Sequence, residues 1–281
     1  MYETSFSLGD DEEIFVCFNR KLIDTTLPSL VFLHGLGETS KSFREAFQAP
    51  ELKDMNLIAP DWIGYGMSSE AADHDYSFQA QIRRLYKLLD GLGIDKFSLV
   101  GHSMGGDIGT LMCREDKVGR IQHFIDIEGN LTEADQFLTN LTLAHQDDFT
   151  HWFPQGLIAT LDKNKNSDEE RPSIERYKEA LHFCQPEAFL ESAQEIARHN
   201  VAPKASGERM GRNLASLTIP AMYCHGDDLP RRSRDFLRES NIKYCRFGHA
   251  GHWVMIDRDD IFYPTLAAFC KSRHGMPAVS C

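Results

Sequence analysis

Lys96-Phe97-Ser98-Leu99-Val100-Gly101-His102-Ser103-Met104-Gly105-Gly106 passes from an apolar run into a Gly-x-Ser-x-Gly turn. The run has the character of a buried strand, and small residues continue from the turn to Cys113, as a closely packed helix requires. Glycines on both sides of Ser103 remove the Cβ atoms that would collide in a sharp strand-to-helix turn, which leaves the serine at the apex. A serine hydroxyl is a weak nucleophile, so this geometry has chemical value only with a base and with N–H groups for a developing oxyanion. The new helix supplies one such donor. The Met104 N–H lies at its start, where the helix dipole also favours negative charge.

Outward from this turn, strand-like and helix-like runs alternate. Upstream are the early strand Glu13–Phe18, the buried strand Ser29–Leu33 ending in His34-Gly35-Leu36-Gly37, a short helix over Ser42–Phe47, and a strand over Met55–Ala59. Phe78, Ile82, Leu85, Tyr86 and Leu89 recur at helical spacing behind a Ser77 cap, with Gly91 and Gly93 closing the helix. Downstream, Ile121–Ile127 is the next strand and ends in Glu128-Gly129-Asn130. From Leu131 to about Arg212 the pattern changes to amphipathic helices and polar linkers, including proline-started helices over Pro172–Cys184 and Pro186–His199. A charged connection over Asp162–Arg171 separates them from what precedes. Strands resume at Ile219 and at Ile242–Phe247, followed by Gly251-His252-Trp253, a closing helix over Phe262–Lys271 and a loose tail from Gly275 to Cys281.

With serine first and histidine last, the chain resembles the α/β-hydrolase superfamily over nearly its whole length. The resemblance implies an α/β fold with a mostly parallel central sheet flanked by helices. It places a core domain at residues 1–130 and 213–281 and a helical cap insertion at 131–212. It assigns one oxyanion N–H to the segment after His34-Gly35, here Leu36, beside that of Met104. Pro60-Asp61-Trp62-Ile63-Gly64-Tyr65-Gly66-Met67-Ser68 is similar to a family loop in which Asp61 organises backbone amides, the role Asx chemistry also gives it. His252 is the general base by the same likeness, with His249 a loop residue and His102 a packing or hydrogen-bonding one.

The acid is where this chain departs from the commoner pattern. Most relatives carry it three residues beyond the glycine equivalent to Gly226, but Leu229 stands there. Asp228 and Asp227 are adjacent, and a minority of relatives place the acid after the elbow's neighbouring strand, where this chain has Glu128. The order of expectation is Asp228, then Glu128, then Asp227, because a carboxylate from either loop could orient the base.

The chain of 281 residues carries 42 acidic against 30 basic side chains, a net charge of −12 that disfavours nucleic acid and anionic membranes as partners. No N-terminal signal pattern and no membrane-spanning run is visible, so the expectation is a cytoplasmic protein. The seven cysteines lack metal-ligand spacing and several sit in apolar runs, which fits reduced core thiols and no metal site. The expected activity is serine hydrolysis of a small, largely apolar ester, thioester or lactone through an acyl-enzyme, with no cofactor and with a small-molecule substrate as partner, the oligomeric state being left open. Carbon–carbon bond hydrolases, cofactor-independent oxygenases and a non-catalytic ligand receptor share the fold. Phe137, Trp152, Phe153, Phe183 and Phe189 are candidates to line an acyl pocket, although aromatic residues in a helical insertion are more often simple core.

Overall fold

Strands β1 (Tyr2–Gly9), β2 (Glu12–Phe18), β3 (Ser29–Leu33), β4 (Asn56–Pro60), β5 (Phe97–His102), β6 (Ile121–Ile127), β7 (Ala221–His225) and β8 (Tyr244–Arg246) form one sheet. The computed structural model describes residues 1–9, 11–163, 171–200 and 208–272. Strand order is β1-β2-β4-β3-β5-β6-β7-β8. Only β1–β2 and β2–β4 pair antiparallel, and every pair from β4–β3 to β7–β8 is parallel. Every residue of β3, β4 and β5 is buried, as strands covered by helices on both faces require, and this is why they read as continuous apolar runs. Strand β1 escaped the sequence reading because Tyr2-Glu3-Thr4-Ser5 is exposed on a sheet edge and shows no apolar stripe.

Helix α1 (Phe78–Gly91) starts where the Ser77 hydroxyl accepts a bond from Ala80 N–H, and it buries Phe78, Ile82, Leu85, Leu88 and Leu89. Helix α2 (Met104–Glu115) follows the Ser103 turn. Its glycines permit contact at backbone distance: a Cβ at Gly105 would lie 2.1 Å from the Leu33 carbonyl oxygen. The cost of roughly 1 kcal/mol per helical glycine is offset by this approach to the sheet.

Between β6 and β7 lie six helices of the described residues: α3 (Phe137–Ala144), α4 (Phe149–Trp152), α5 (Gln155–Lys163), α6 (Pro172–Leu181), α7 (Pro186–Asn200) and α8 (Arg209–Ala215). Helix α9 (Arg231–Glu239) separates β7 from β8, and α10 (Val254–Asp257) and α11 (Asp259–Lys271) follow. Residues 164–170 of the charged connection and the 275–281 tail lie outside the described residues. No helix among those described is long and apolar enough to cross a membrane.

Cys17, Cys113, Cys184, Cys224 and Cys270 are free thiols. The expectation of a fully reduced set is corrected at Cys245, which is disulfide-bonded, while Cys281 lies outside the described residues. Apolar neighbours bury a cysteine without deciding whether its sulfur is paired.

Candidate active site

The chain runs from β3 to β4 on one side and then returns to β5 on the other, so strand order reverses between β3 and β5. The carboxyl ends of strands at such a reversal form a crevice with unpaired backbone groups. Here they deliver the loop His34–Glu38 from β3, Ser103 from β5 and Glu128 from β6.

Ser103 has φ 52° and ψ −118°, a conformation that L-residues rarely adopt and that costs about 1–3 kcal/mol. The turn is tight enough that a Cβ at Gly101 would meet the Gly105 carbonyl oxygen at 2.3 Å. The Ser103 N–H donates to the Ile127 carbonyl at 2.8 Å, which ties the turn to β6. Met104 is the first residue of α2, so its N–H has no acceptor within the helix. Leu36 is buried beside the same cavity as Ser103. His34 organises the loop before it: its Nε2 accepts from the Trp62 N–H at 3.0 Å and its Nδ1 lies 2.9 Å from the Gly35 carbonyl oxygen. Burial, with the nearby charges opposing, holds His34 below the ordinary histidine pKa.

Glu128 is a second non-glycine residue at positive φ, 52°, and its side chain is almost fully buried. Its Oε1 accepts from the Gly226 N–H at 2.7 Å, and its Oε2 lies 3.6 Å from His252 Nδ1. The ring of His252 remains one-third exposed and lines the cavity together with Ser103. Burial works against the charged ring, but the Glu128 carboxylate, supported by the charges of Glu38 and Asp135, outweighs it and raises the His252 pKa above its ordinary value.

Asp228, the expected first choice for the acid, is placed against an arginine. Its Oδ2 pairs with Arg171 Nη1 at 2.5 Å and its side chain is 61% exposed. Asp227 is turned toward Arg246, at 2.7 Å, and toward the His249 N–H, at 2.9 Å. Buried Leu229 occupies the next position, so the loop after β7 presents its carboxylates to arginines, while Gly226 offers Glu128 an N–H. His249 sits at φ 66° in the loop and is not among the residues that line the cavity. Asp61 accepts from the Ser40 and Met67 N–H groups at 2.6 and 2.9 Å, as a loop organiser does.

The cavity has a volume of about 190 Å³ and is walled by Leu36, Phe137, Leu138, Leu161, Ile196 and Trp253, with Ser103, Asn130, Asp135, Thr139, Tyr177 and His252 as its polar members. A larger surface cleft of about 380 Å³, around Glu12, Arg83 and Arg84, shares no residue with it. Of the aromatic candidates only Phe137 lines the cavity. Phe153 and Phe189 pack on each other at 4.7 Å in the core, Trp152 stacks on His145, and exposed Phe183 lies at another cleft. Tyr177 was missed by the sequence reading. Its hydroxyl is buried with no hydrogen-bond partner among the described residues, and burial, reinforced by the charge of Glu38, holds its pKa far above the ordinary value. Nothing in a helical spacing distinguishes such a tyrosine from an ordinary core residue.

A strained serine at a strand-to-helix turn over a doubly covered parallel sheet defines the nucleophile-elbow class of α/β proteins. The chain belongs to the alpha/beta hydrolase fold family, whose model matches residues 28–259. Its first-ranked curated similarities are local: it is 31% identical over 94 residues to the magnesium-chelatase 30 kDa subunit of Rhodobacter capsulatus, covering 34% of this chain and only 33% of that protein. It is 36% identical over 238 residues to 2-hydroxymuconate semialdehyde hydrolase of Pseudomonas sp. (strain CF600), covering 81% of each chain. Among solved structures, the enol-lactonase from Burkholderia xenovorans LB400 superimposes with a TM-score of 0.73 at 17% identity, covering 96% of this chain and all of that one, a likeness of fold.

Proposed function

We propose that the protein is a serine hydrolase of small, largely apolar carboxylic esters, thioesters or lactones, with Ser103 as nucleophile, His252 as general base and Glu128 as the acid that orients it. The observation that carries this reading is the convergence of a strained Ser103 and a partly exposed His252 on one cavity, with a buried glutamate behind the ring. His252 takes the Ser103 proton as Oγ attacks the carbonyl carbon, and the Leu36 and Met104 N–H groups receive the oxyanion. Collapse of the tetrahedral intermediate returns the proton to the leaving alcohol or thiol. Water, activated by the same histidine, then releases the acid and frees Ser103. A mostly apolar cavity of this size suits a short acyl group. The helices between β6 and β7 act as the cap, since Phe137, Leu161, Tyr177 and Ile196 of that segment reach the cavity.

Similarity to 2-hydroxymuconate semialdehyde hydrolase favours a second reading, hydrolysis of a carbon–carbon bond on the same serine. An alkyl fluorophosphonate that labels Ser103, mapped by peptide mass, supports either hydrolase. Esters, thioesters and lactones of graded acyl length, assayed beside a vinylogous 1,5-diketone, separate the two. A folded protein that is never labelled overturns both and leaves a ligand receptor.

A further inference from the structure

A second buried glutamate stands behind the proposed catalytic residues. Glu38, in the loop after β3, is 2% exposed, and its carboxylate meets its own loop and two other segments. Its Oε2 accepts from the Gly35 N–H at 3.1 Å, and its Oε1 accepts from Trp253 Nε1 at 2.8 Å. The same Oε1 lies 2.8 Å from Nδ1 of His102, the residue before the nucleophile. His102 is itself fully buried, and its Nε2 lies 3.0 Å from the backbone carbonyl oxygen of His252, with the two rings 4.7 Å apart. The packing leaves no slack: a Cβ on Gly35 would lie 2.8 Å from Glu38 Oε1 and 3.1 Å from His102 Nδ1.

We propose that Glu38 and His102 are positioning residues that lock the base loop at His252–Trp253 to the elbow and to the oxyanion loop, so that base, nucleophile and Leu36 N–H keep one alignment. This rests on the serine-hydrolase reading above. The base loop meets this pair through Trp253 Nε1 on Glu38 and the His252 carbonyl on His102. It joins the three-residue strand β8 to the four-residue helix α10, and catalysis of this kind tolerates little displacement. The carboxylate is well satisfied. Burial opposes its charge, yet His102 foremost, then His34 and the Gly35 N–H, hold Glu38 at a pKa of about 2. Its negative charge also reaches His252, whose other ionisable neighbours are Glu128 from β6, Asp135 from the turn after it and His102 from β5, with the Asp228–Arg171 pair beside Gly251.

The test compares wild type, Glu38→Gln and Trp253→Phe, each checked for folding by circular dichroism, for the rate of fluorophosphonate labelling at Ser103 across pH and for kcat and KM on the best ester. Glu38→Gln is expected to slow labelling and lower kcat by about 10²-fold with KM little changed, the loss expected of a small misplacement. Its acid limb should move to lower pH, because a negative charge near His252 is gone. Trp253→Phe keeps the charge and removes one donor, so it should lower the rate without moving the limb. A folded Glu38→Gln with wild-type labelling rate and limb overturns the inference alone. Should that variant not fold, an undiminished kcat in Trp253→Phe overturns it, and a lowered kcat with KM unchanged and the limb unmoved supports it. A wild type that resists labelling overturns this inference and the hydrolase reading together.

Discussion

Two glutamates face two histidines at the carboxyl edge of this sheet, and the pairs differ in what the rest of each ring meets. His102 is fully enclosed, with Nδ1 at 2.8 Å from Glu38 and Nε2 at 3.0 Å from a backbone carbonyl. His252 has Nδ1 at 3.6 Å from Glu128, while a third of its side chain remains open to the cavity that Ser103 lines. A fully enclosed ring gives a substrate proton no way in. A ring with one face held by a carboxylate and the other open can take one. Residue type and partner are the same in the two pairs; exposure sets the ring proposed as the base apart from the enclosed one.

The sharpest way to break that distinction is to remove the reacting atoms. Ser103→Ala should leave the fold intact and lower kcat on the order of 10⁴-fold or more, with His252→Ala about as damaging, because nucleophile and base act as one unit. Should His249→Ala prove worse than His252→Ala in the same ester assay, the base is misassigned. Next in size is the acid. Glu128→Gln is expected to cost about 10⁴-fold in kcat, since an amide favours the wrong tautomer, whereas Asp228→Asn, which loosens an exposed pair with Arg171, should cost less than about fivefold. The reverse ranking would return the acid to the loop after β7.

A smaller effect lies in the pH profile. The base must be neutral, and the His252 pKa is raised, so kcat/KM should fall as pH drops through a midpoint above the ordinary histidine value of about 6.5. In Glu128→Gln the residual activity should show that midpoint displaced to lower pH. The smallest expected effect concerns stability and the other pair. Glu38 titrates at about 2 when folded against 4.5 ordinarily, so its contribution is present above pH 4.5 and is lost as pH falls from there through about 2. The Tm advantage of wild type over Glu38→Gln should therefore be widest near neutral pH and shrink in acid. An advantage that does not change with pH would mean that the Glu38 charge plays no part.

Much of the fold was legible because parallel strands buried on both faces leave continuous apolar runs, and because a serine between glycines after such a run has few structural uses. The polar edge strand β1 carried no such signal. Ser103, His252 and the loop after His34 could be picked out because each sits in a short stretch whose residues constrain one another locally. The acid could not. Asp228 and Glu128 are 100 residues apart in sequence, and both follow strands that end beside the base loop. Glu128-Gly129-Asn130 did hint at an unusual turn, and the positive φ at Glu128 is its physical form. Neighbours along the chain were enough to read the class of sheet, the elbow, and Ser103 and His252 as candidates. Only the tertiary structure decided which carboxylate reaches His252, that Arg171 holds Asp228, and that Glu38 joins three loops, because each depends on side chains brought together from distant segments.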